Sequence, residues 1–164
     1  MNDQIYLIGD VHGCYKTLCT LIDCLPHGAD SKICFVGNLI DRGEGSFEVV
    51  QLAIQRGYVA VMGNHEYRLL QHKDAFLRGE TPSDPRWFYL NGGAQTFASY
   101  DKASRVQKLA HLEFLSNLPL YLEFAEFKNA QGRRLVASHS AIGRMWALRN
   151  SHDDSAAEFR RHLL

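Results

Sequence analysis

The chain has 164 residues, 46% hydrophobic and 22% charged, which is long enough to bury a sizeable core and too ordinary for a disordered or fibrous protein. Eighteen basic residues balance eighteen acidic ones, so no net field argues for nucleic acid or a membrane surface, and no apolar run approaches the ~20 residues that span a bilayer. Met1-Asn2-Asp3-Gln4 lacks a leader pattern, and Cys14, Cys19, Cys24 and Cys34 lack any C-x-x-C spacing, so free thiols, a cytoplasmic setting and one domain over 1–164 are expected.

Residues 4–9 read as a first strand that ends at Gly9 and opens into Asp10-Val11-His12-Gly13. Residues 14–25 place Leu18, Leu21, Ile22 and Leu25 on one helical face, stopped by Pro26, His27 and Gly28. Residues 32–36 give a second strand, ended by Gly37, and Asn38, Asp41 and Arg42 follow in a loop closed by Gly43. A helix over 46–55 has Ser46 as its expected N-cap, Phe47, Val50 and Ile54 inward, and Gly57 at its end. Residues 58–62 form a third strand running into Gly63-Asn64-His65-Glu66, with a helix over 65–72 starting inside that loop. The order β-α-β-α-β is that of a parallel sheet.

The middle of the chain changes character. Residues 73–86 are polar and hold two of the four prolines, so an excursion over the surface is expected. The cluster Trp87-Phe88-Tyr89-Leu90, then Asn91-Gly92-Gly93 and residues 96–100, predicts two short helices forming a lid or cap. A helix over 104–118 stops at Pro119, and residues 120–124 and 135–137 predict a hairpin whose second strand ends at Ser138-His139-Ser140. Residues 153–164 read as a helix that stops without a cap, and a C-terminally truncated domain is expected.

Oxygen and imidazole donors follow directly on each strand end. In an open α/β sheet ligands sit beyond the carboxyl ends of the strands, so Asp10, His12, Asn38, Asn64 and His65 are expected on one rim. Two divalent ions roughly 3.5–4 Å apart can polarise a phosphoryl group and activate water. Asp10 and His12 can grip one ion, while Asn64 and His139 can serve the other. Mixed oxygen and nitrogen donors suit Mn, Fe or Zn better than Ca. Arg42 offers a fork of donors for phosphate oxygens. His65 can protonate a leaving alkoxide, with Asp41 orienting its ring.

These motifs resemble the calcineurin-like metallophosphoesterases: Gly9-Asp10-Val11-His12, Gly37-Asn38-Leu39-Ile40-Asp41-Arg42-Gly43, Gly63-Asn64-His65-Glu66, and His139 at a strand end. Asn91-Gly92-Gly93 and Leu118-Pro119-Leu120 are similar to the bacterial and phage Ser/Thr phosphatase branch, which includes diadenosine-tetraphosphatase-like enzymes and RNA-end phosphatases. The resemblance implies an α/β fold, a four-layer αββα sandwich, whose second sheet is incomplete here. It also implies two metal ions held by Asp10, His12, Asn38, Asn64 and His139, with activated water attacking phosphorus. The implied substrate is a phosphoprotein, a dinucleoside polyphosphate or a nucleic-acid end phosphate, with no membrane partner. Two departures stand out. The metal-bridging Asp of the family is Asn38, and no late Gly-His motif follows, since neither His152 nor His162 comes after a glycine. One ion or none is therefore expected, with impaired hydrolysis or a catalytically inactive metal- or phosphate-binding protein as the alternative. The unpaired edge of the second sheet is expected to support a homodimer.

Each residue also has a structural alternative. Asp10 and His12 could cap the following helix, Asn38 could serve the turn, and Arg42 could form a surface ion pair. His65 could simply start a helix, His139 could be a satisfied core histidine, and Trp87, Phe88 and Tyr89 could be packing rather than a base-stacking platform.

Overall fold

Three short apolar runs pair as a parallel sheet: β1 (Tyr6–Ile8), β2 (Ile33–Phe35) and β3 (Val59–Ala60), in the order β1-β2-β3. The computed structural model describes residues 4–150. Leu7 lies opposite Cys34, and Phe35 opposite Ala60. The central strand β2 is buried at all three residues, which is why it reads as an unbroken apolar run. All three strands are shorter than the apolar runs predict. Single bonds from Val36 N–H to Ile8 O and from Val61 N–H to Phe35 O (2.9 and 3.0 Å) extend the pairing before the chain turns out into its loops.

Helices α1 (Tyr15–Asp23) and α2 (Ser46–Arg56) connect the strands. On α1, Leu18 and Ile22 are buried as the periodicity predicts, but Leu21 is 45% exposed and is not part of the core face. On α2 the predicted cap is wrong by one residue. Gly45 is the N-cap, while Ser46 is the first helical residue and turns its hydroxyl to accept from Asp41 N–H. Gly57 ends α2 with φ 64°, as expected.

Helix α3 (Asn64–Gln71) is followed by α4 (Lys73–Arg78), where an irregular excursion was expected. The reason is Phe76, which is buried and packs edge-on against Phe97 and Tyr100 at 5.2 and 4.9 Å. The predicted pair of short helices is present as α5 (Pro85–Leu90) and α6 (Gly93–Ser99). Asp84 caps α5 by accepting Trp87 N–H, with Pro85 at the first helical position. Helix α7 (Arg105–Ser116) starts in a capping box between Ser104 and Gln107. Strands β4 (Tyr121–Lys128) and β5 (Arg134–Ser138) form an antiparallel pair with an irregularity between Phe124 and Lys128. A parallel sheet, flanking helices and a small second sheet are the α/β organisation the motifs imply. The helix expected over 153–164 lies outside the described residues.

One apolar cluster joins β2, α2, α3, α4 and α7 through Phe35, Val50, Leu69, Phe76 and Leu115. All four cysteines are free. No described helix is long and apolar enough to cross a membrane.

His111, on α7, is the polar member of this packing. It is buried between Tyr100 O–H at 2.8 Å and Gln51 Oε1 at 3.2 Å. Gln51 accepts from Nε2–H, so Nδ1 accepts from the tyrosine and the ring is neutral. Burial pushes its pKa down to about 4. The unfolded chain therefore binds the extra proton between about pH 4 and 6.5, and stability rises with pH across that window. This contribution is complete above 6.5 and is lost towards pH 4, amounting to no more than about 3 kcal/mol. In urea titrations, His111→Gln should flatten the wild-type slope over that window and leave the slope above pH 7 unchanged.

Candidate metal centre

The loops after β1, β2 and β3 are bonded into one rim. Val11 and His12 N–H both donate to Asn38 O (3.0 and 2.8 Å), and Gly13 N–H donates to Leu39 O (2.8 Å). Glu66, fully buried in the first turn of α3, accepts from Asn38 and Leu39 N–H at 2.8 Å, Gly63 N–H at 2.9 Å and Ile40 N–H at 3.4 Å. Burial pushes its carboxyl up, and these backbone donors pull the other way. The second and third loops touch so closely that a Cβ on Gly63 would lie 2.5 Å from Asn38 N and Oδ1.

Local backbone conformation marks the same place. Among the described residues, the non-glycines at positive φ are His12 (47°), Asn38 (54°), Asp41 (71°) and Arg42 (66°). Such residues store strain of about 1–3 kcal/mol each and cluster at functional sites.

The five expected donors converge as two pairs with Asn38 beside them. His12 Nδ1–H donates to Ile40 O at 2.9 Å, which turns the Nε2 lone pair towards Asp10 Oδ2 at 3.3 Å. That Nε2 is buried and has no hydrogen-bond partner among the described residues. His139 repeats the arrangement. Nδ1–H donates to Val36 O at 2.9 Å, and Nε2 faces Asn64 Oδ1 at 2.9 Å. In both pairs two acceptors point at each other, which suits a cation between them, and the outer hydrogen bond fixes each imidazole tautomer.

Asn38 fits less well. Its Oδ1 accepts from His65 N–H at 3.3 Å, and its Nδ2–H donates to Asp10 Oδ2 at 3.2 Å. A donor thus stands where a bridge needs an acceptor, and it occupies an oxygen of the one carboxylate in the set. Among the described residues no three His, Cys, Asp or Glu side chains converge to hold a metal: Asp10 and His12 stand together, and His139 is paired with the Asn64 amide instead. The side chains suit a cation at each histidine pair and lack the charge to link the two.

Beside these pairs lies a second polar system. His65 Nδ1–H donates to Asp41 Oδ2 at 2.6 Å, with both residues buried. Trp87 Nε1–H donates to the same oxygen at 2.6 Å, and Thr96 Oγ1–H donates to Oδ1 at 2.5 Å. The His65 ring packs edge-on against His12, with centroids 4.7 Å apart. Arg42 is exposed, and its guanidinium has no hydrogen bond or ion pair among the described residues; its backbone N–H donates to Gly92 O at 3.3 Å. Gly92 has φ 94°, and a Cβ there would lie 2.2 Å from Arg42 N, so only glycine fits this junction.

Every expected site residue therefore reaches the rim. Glu66, Trp87 and Thr96 are polar members of the site that sequence reading does not place there, Trp87 being expected only in packing or base stacking. Glu66 was within reach of sequence reasoning, because an acidic residue three after a helix start is half of a capping box. Trp87 and Thr96 lie 46 and 55 residues from Asp41 and carry no comparable signal.

Known proteins agree with this picture at the family level. The calcineurin-like phosphoesterase family model matches residues 4–159. An asymmetrical bis(5'-nucleosyl)-tetraphosphatase of Halalkalibacterium halodurans is 31% identical over 157 residues, covering 85% of this chain and 57% of its own length. A symmetrical bis(5'-nucleosyl)-tetraphosphatase of Citrobacter koseri is 32% identical over 90% of this chain and 46% of its own. Serine/threonine-protein phosphatase 2 of Salmonella typhimurium is 38% identical over 55% of this chain and 38% of its own. The chain thus spans about half or less of the length of most curated relatives it matches. A solved metallophosphoesterase from Sphaerobacter thermophilus aligns at 25% identity and a TM-score of 0.42, over 72% of this chain and 42% of its own.

The hydrogen bond from Asn38 to Asp10 generates a direct test. Asn38→Asp should bind Mn²⁺ tighter by about tenfold or more and raise the stoichiometry measured by calorimetry. Two fully occupied ions in the unaltered chain would contradict this reading.

Proposed function

This chain belongs to the calcineurin-like phosphoesterase family, and on that premise we propose that it hydrolyses phosphate esters or anhydrides at the rim of the parallel sheet, with turnover held down by Asn38. The observation that carries the reading is the buried His65–Asp41 pair at 2.6 Å, standing beside two imidazole–oxygen pairs aimed to hold cations.

The roles follow from the geometry. Asp10 and His12 would hold one divalent ion and Asn64 and His139 another, with Asn38 between them. Such ions supply Lewis-acid polarisation of the phosphoryl group and activation of water. Arg42, whose exposed guanidinium has no partner among the described residues, binds the phosphoryl oxygens. Asp41 holds His65 by Nδ1–H, so that the opposite nitrogen can carry the proton given to the leaving oxygen.

Dinucleoside polyphosphates lead as substrates, because the relatives matched over most of this chain are named bis(5'-nucleosyl)-tetraphosphatases. Phosphoproteins and nucleic-acid end phosphates follow. A second reading, a non-catalytic metal- or phosphate-binding protein, is favoured by the Asn38 amide donating to Asp10. The β4–β5 pair is a two-stranded sheet among the described residues, and an open edge of this kind supports a homodimer. Sedimentation should show the dimer, and a monodisperse monomer would count against it.

Turnover of an aryl phosphate and of diadenosine tetraphosphate against Mn²⁺ concentration tests the reading. Asn38→Asp should raise turnover by about 100-fold, the order of one lost electrostatic contact in a transition state. His65→Ala in that background should remove about 10²–10⁴-fold. Equal rates in all three versions would favour the binding protein.

A further inference from the structure

Residues 84–99 supply no ligand and no phosphate contact in the function proposed above, yet they surround Asp41. Trp87 Nε1–H shares Asp41 Oδ2 with His65, both at 2.6 Å. Thr96 grips the same residue twice, donating to Oδ1 at 2.5 Å and accepting from Asp41 N–H at 2.9 Å. Ser46 Oγ completes the enclosure, 3.1 Å from both Asp41 N and Thr96 Oγ1. The carboxylate therefore cannot rotate without breaking a short bond at each oxygen.

The clamping groups are themselves fixed. Trp87 is buried, its ring is stacked on His72 with centroids 5.3 Å apart and planes 13° apart, and its backbone N–H donates to Asp84 Oδ1 at 3.0 Å. Thr96 is fully buried and its hydroxyl has no route to solvent. A packing role alone would be met by Phe and Val at these positions. What Trp and Thr add is one donor each, and both donors end on the carboxylate that orients His65.

We propose that Trp87 and Thr96 are positioning residues for proton donation by His65: they lock the Asp41 carboxylate in the rotamer that directs the imidazole towards the leaving oxygen. The inference rests on His65 as proton donor, and it assigns the α5–α6 segment a part in the chemistry rather than only in covering the rim.

Two readouts on the full chain test it. A proton held between His65 Nδ1 and a carboxylate at this distance gives a far-downfield NMR resonance, identified by its loss in His65→Ala. Trp87→Phe and Thr96→Val should shift or broaden that resonance, Thr96→Ser should restore it, and Trp146→Phe should leave it in place. The second readout is leaving-group dependence. An alkyl phosphate needs the proton and a dinitrophenyl phosphate hardly does, so both variants should lose about 10- to 100-fold on the former and little on the latter. An unmoved resonance in both variants overturns the proposal. So does a moved resonance with equal losses on both substrates, which marks a structural role. If no version turns over either ester, the proposed function fails, and the resonance decides the clamp by itself. If Trp87→Phe does not fold, the contrast between Thr96→Val and Thr96→Ser carries the test.

Discussion

A single buried carboxylate, that of Glu66, holds together the two loops on which the site is built. It collects backbone N–H groups from residues 38, 39 and 40 on one side and from Gly63 on the other. Taking a carboxylate out of water is costly unless its oxygens are filled, and here the four donors fill them. The donors gain as much, because each orphaned buried N–H would cost about 1–3 kcal/mol. The turn of the second loop and the start of α3 therefore form together, and the ends of β2 and β3 are set at a fixed separation. Everything functional is placed relative to that junction: Asn38 and Asp41 on one side, Asn64 and His65 on the other.

The same logic explains how four left-handed non-glycine residues persist within one rim. Strain of about 1–3 kcal/mol at each needs an anchor, and each residue has one. His12 is held by its ring on Ile40 O and its N–H on Asn38 O, and Asn38 by its N–H on Glu66. Asp41 is held by Ser46 and Thr96, and Arg42 by Gly92. The anchors of Asn38, Asp41 and Arg42 come from α2, α3 and the α5–α6 segment, so the loop from 38 to 42, which in turn anchors His12, is stable only in the assembled fold. Side chains that would point outwards in an ordinary turn are instead directed into the site or, for Arg42, along its edge.

This division decides what the sequence could disclose. The strand-to-loop design was legible because donors follow each apolar run within one or two residues, and local periodicity gave the helices around it. Ser46 was misread because a serine before an amphipathic helix usually caps it; the neighbouring Gly45 takes that place and frees the hydroxyl for Asp41. Helix α4 escapes sequence reading because six residues are too few to show a period, and one buried ring, Phe76, holds them. Trp87 reads as packing, which it also is. Its indole N–H reaches Asp41 only through the tertiary course of α5, a relation that no spacing encodes.

The weight of Asn38 can be judged from charge alone. Two dications about 4 Å apart repel by roughly 16 kcal/mol at an effective dielectric of 20. A carboxylate touching both sits at about half that distance from each, and on the same scale its attraction exceeds the repulsion. An amide contributes only a dipole, and here one end of that dipole is an N–H pointed at Asp10. Asp10 must then both coordinate and accept, with a single negative charge for the whole donor set. The imidazole tautomers and the His65–Asp41 ring contact do not depend on this exchange, because backbone carbonyls and buried donors set them, whereas Asp10 Oδ2 and the His65 backbone N–H both meet the Asn38 side chain. On the function proposed above, the chain keeps the groups that would handle the proton and weakens those that would concentrate positive charge.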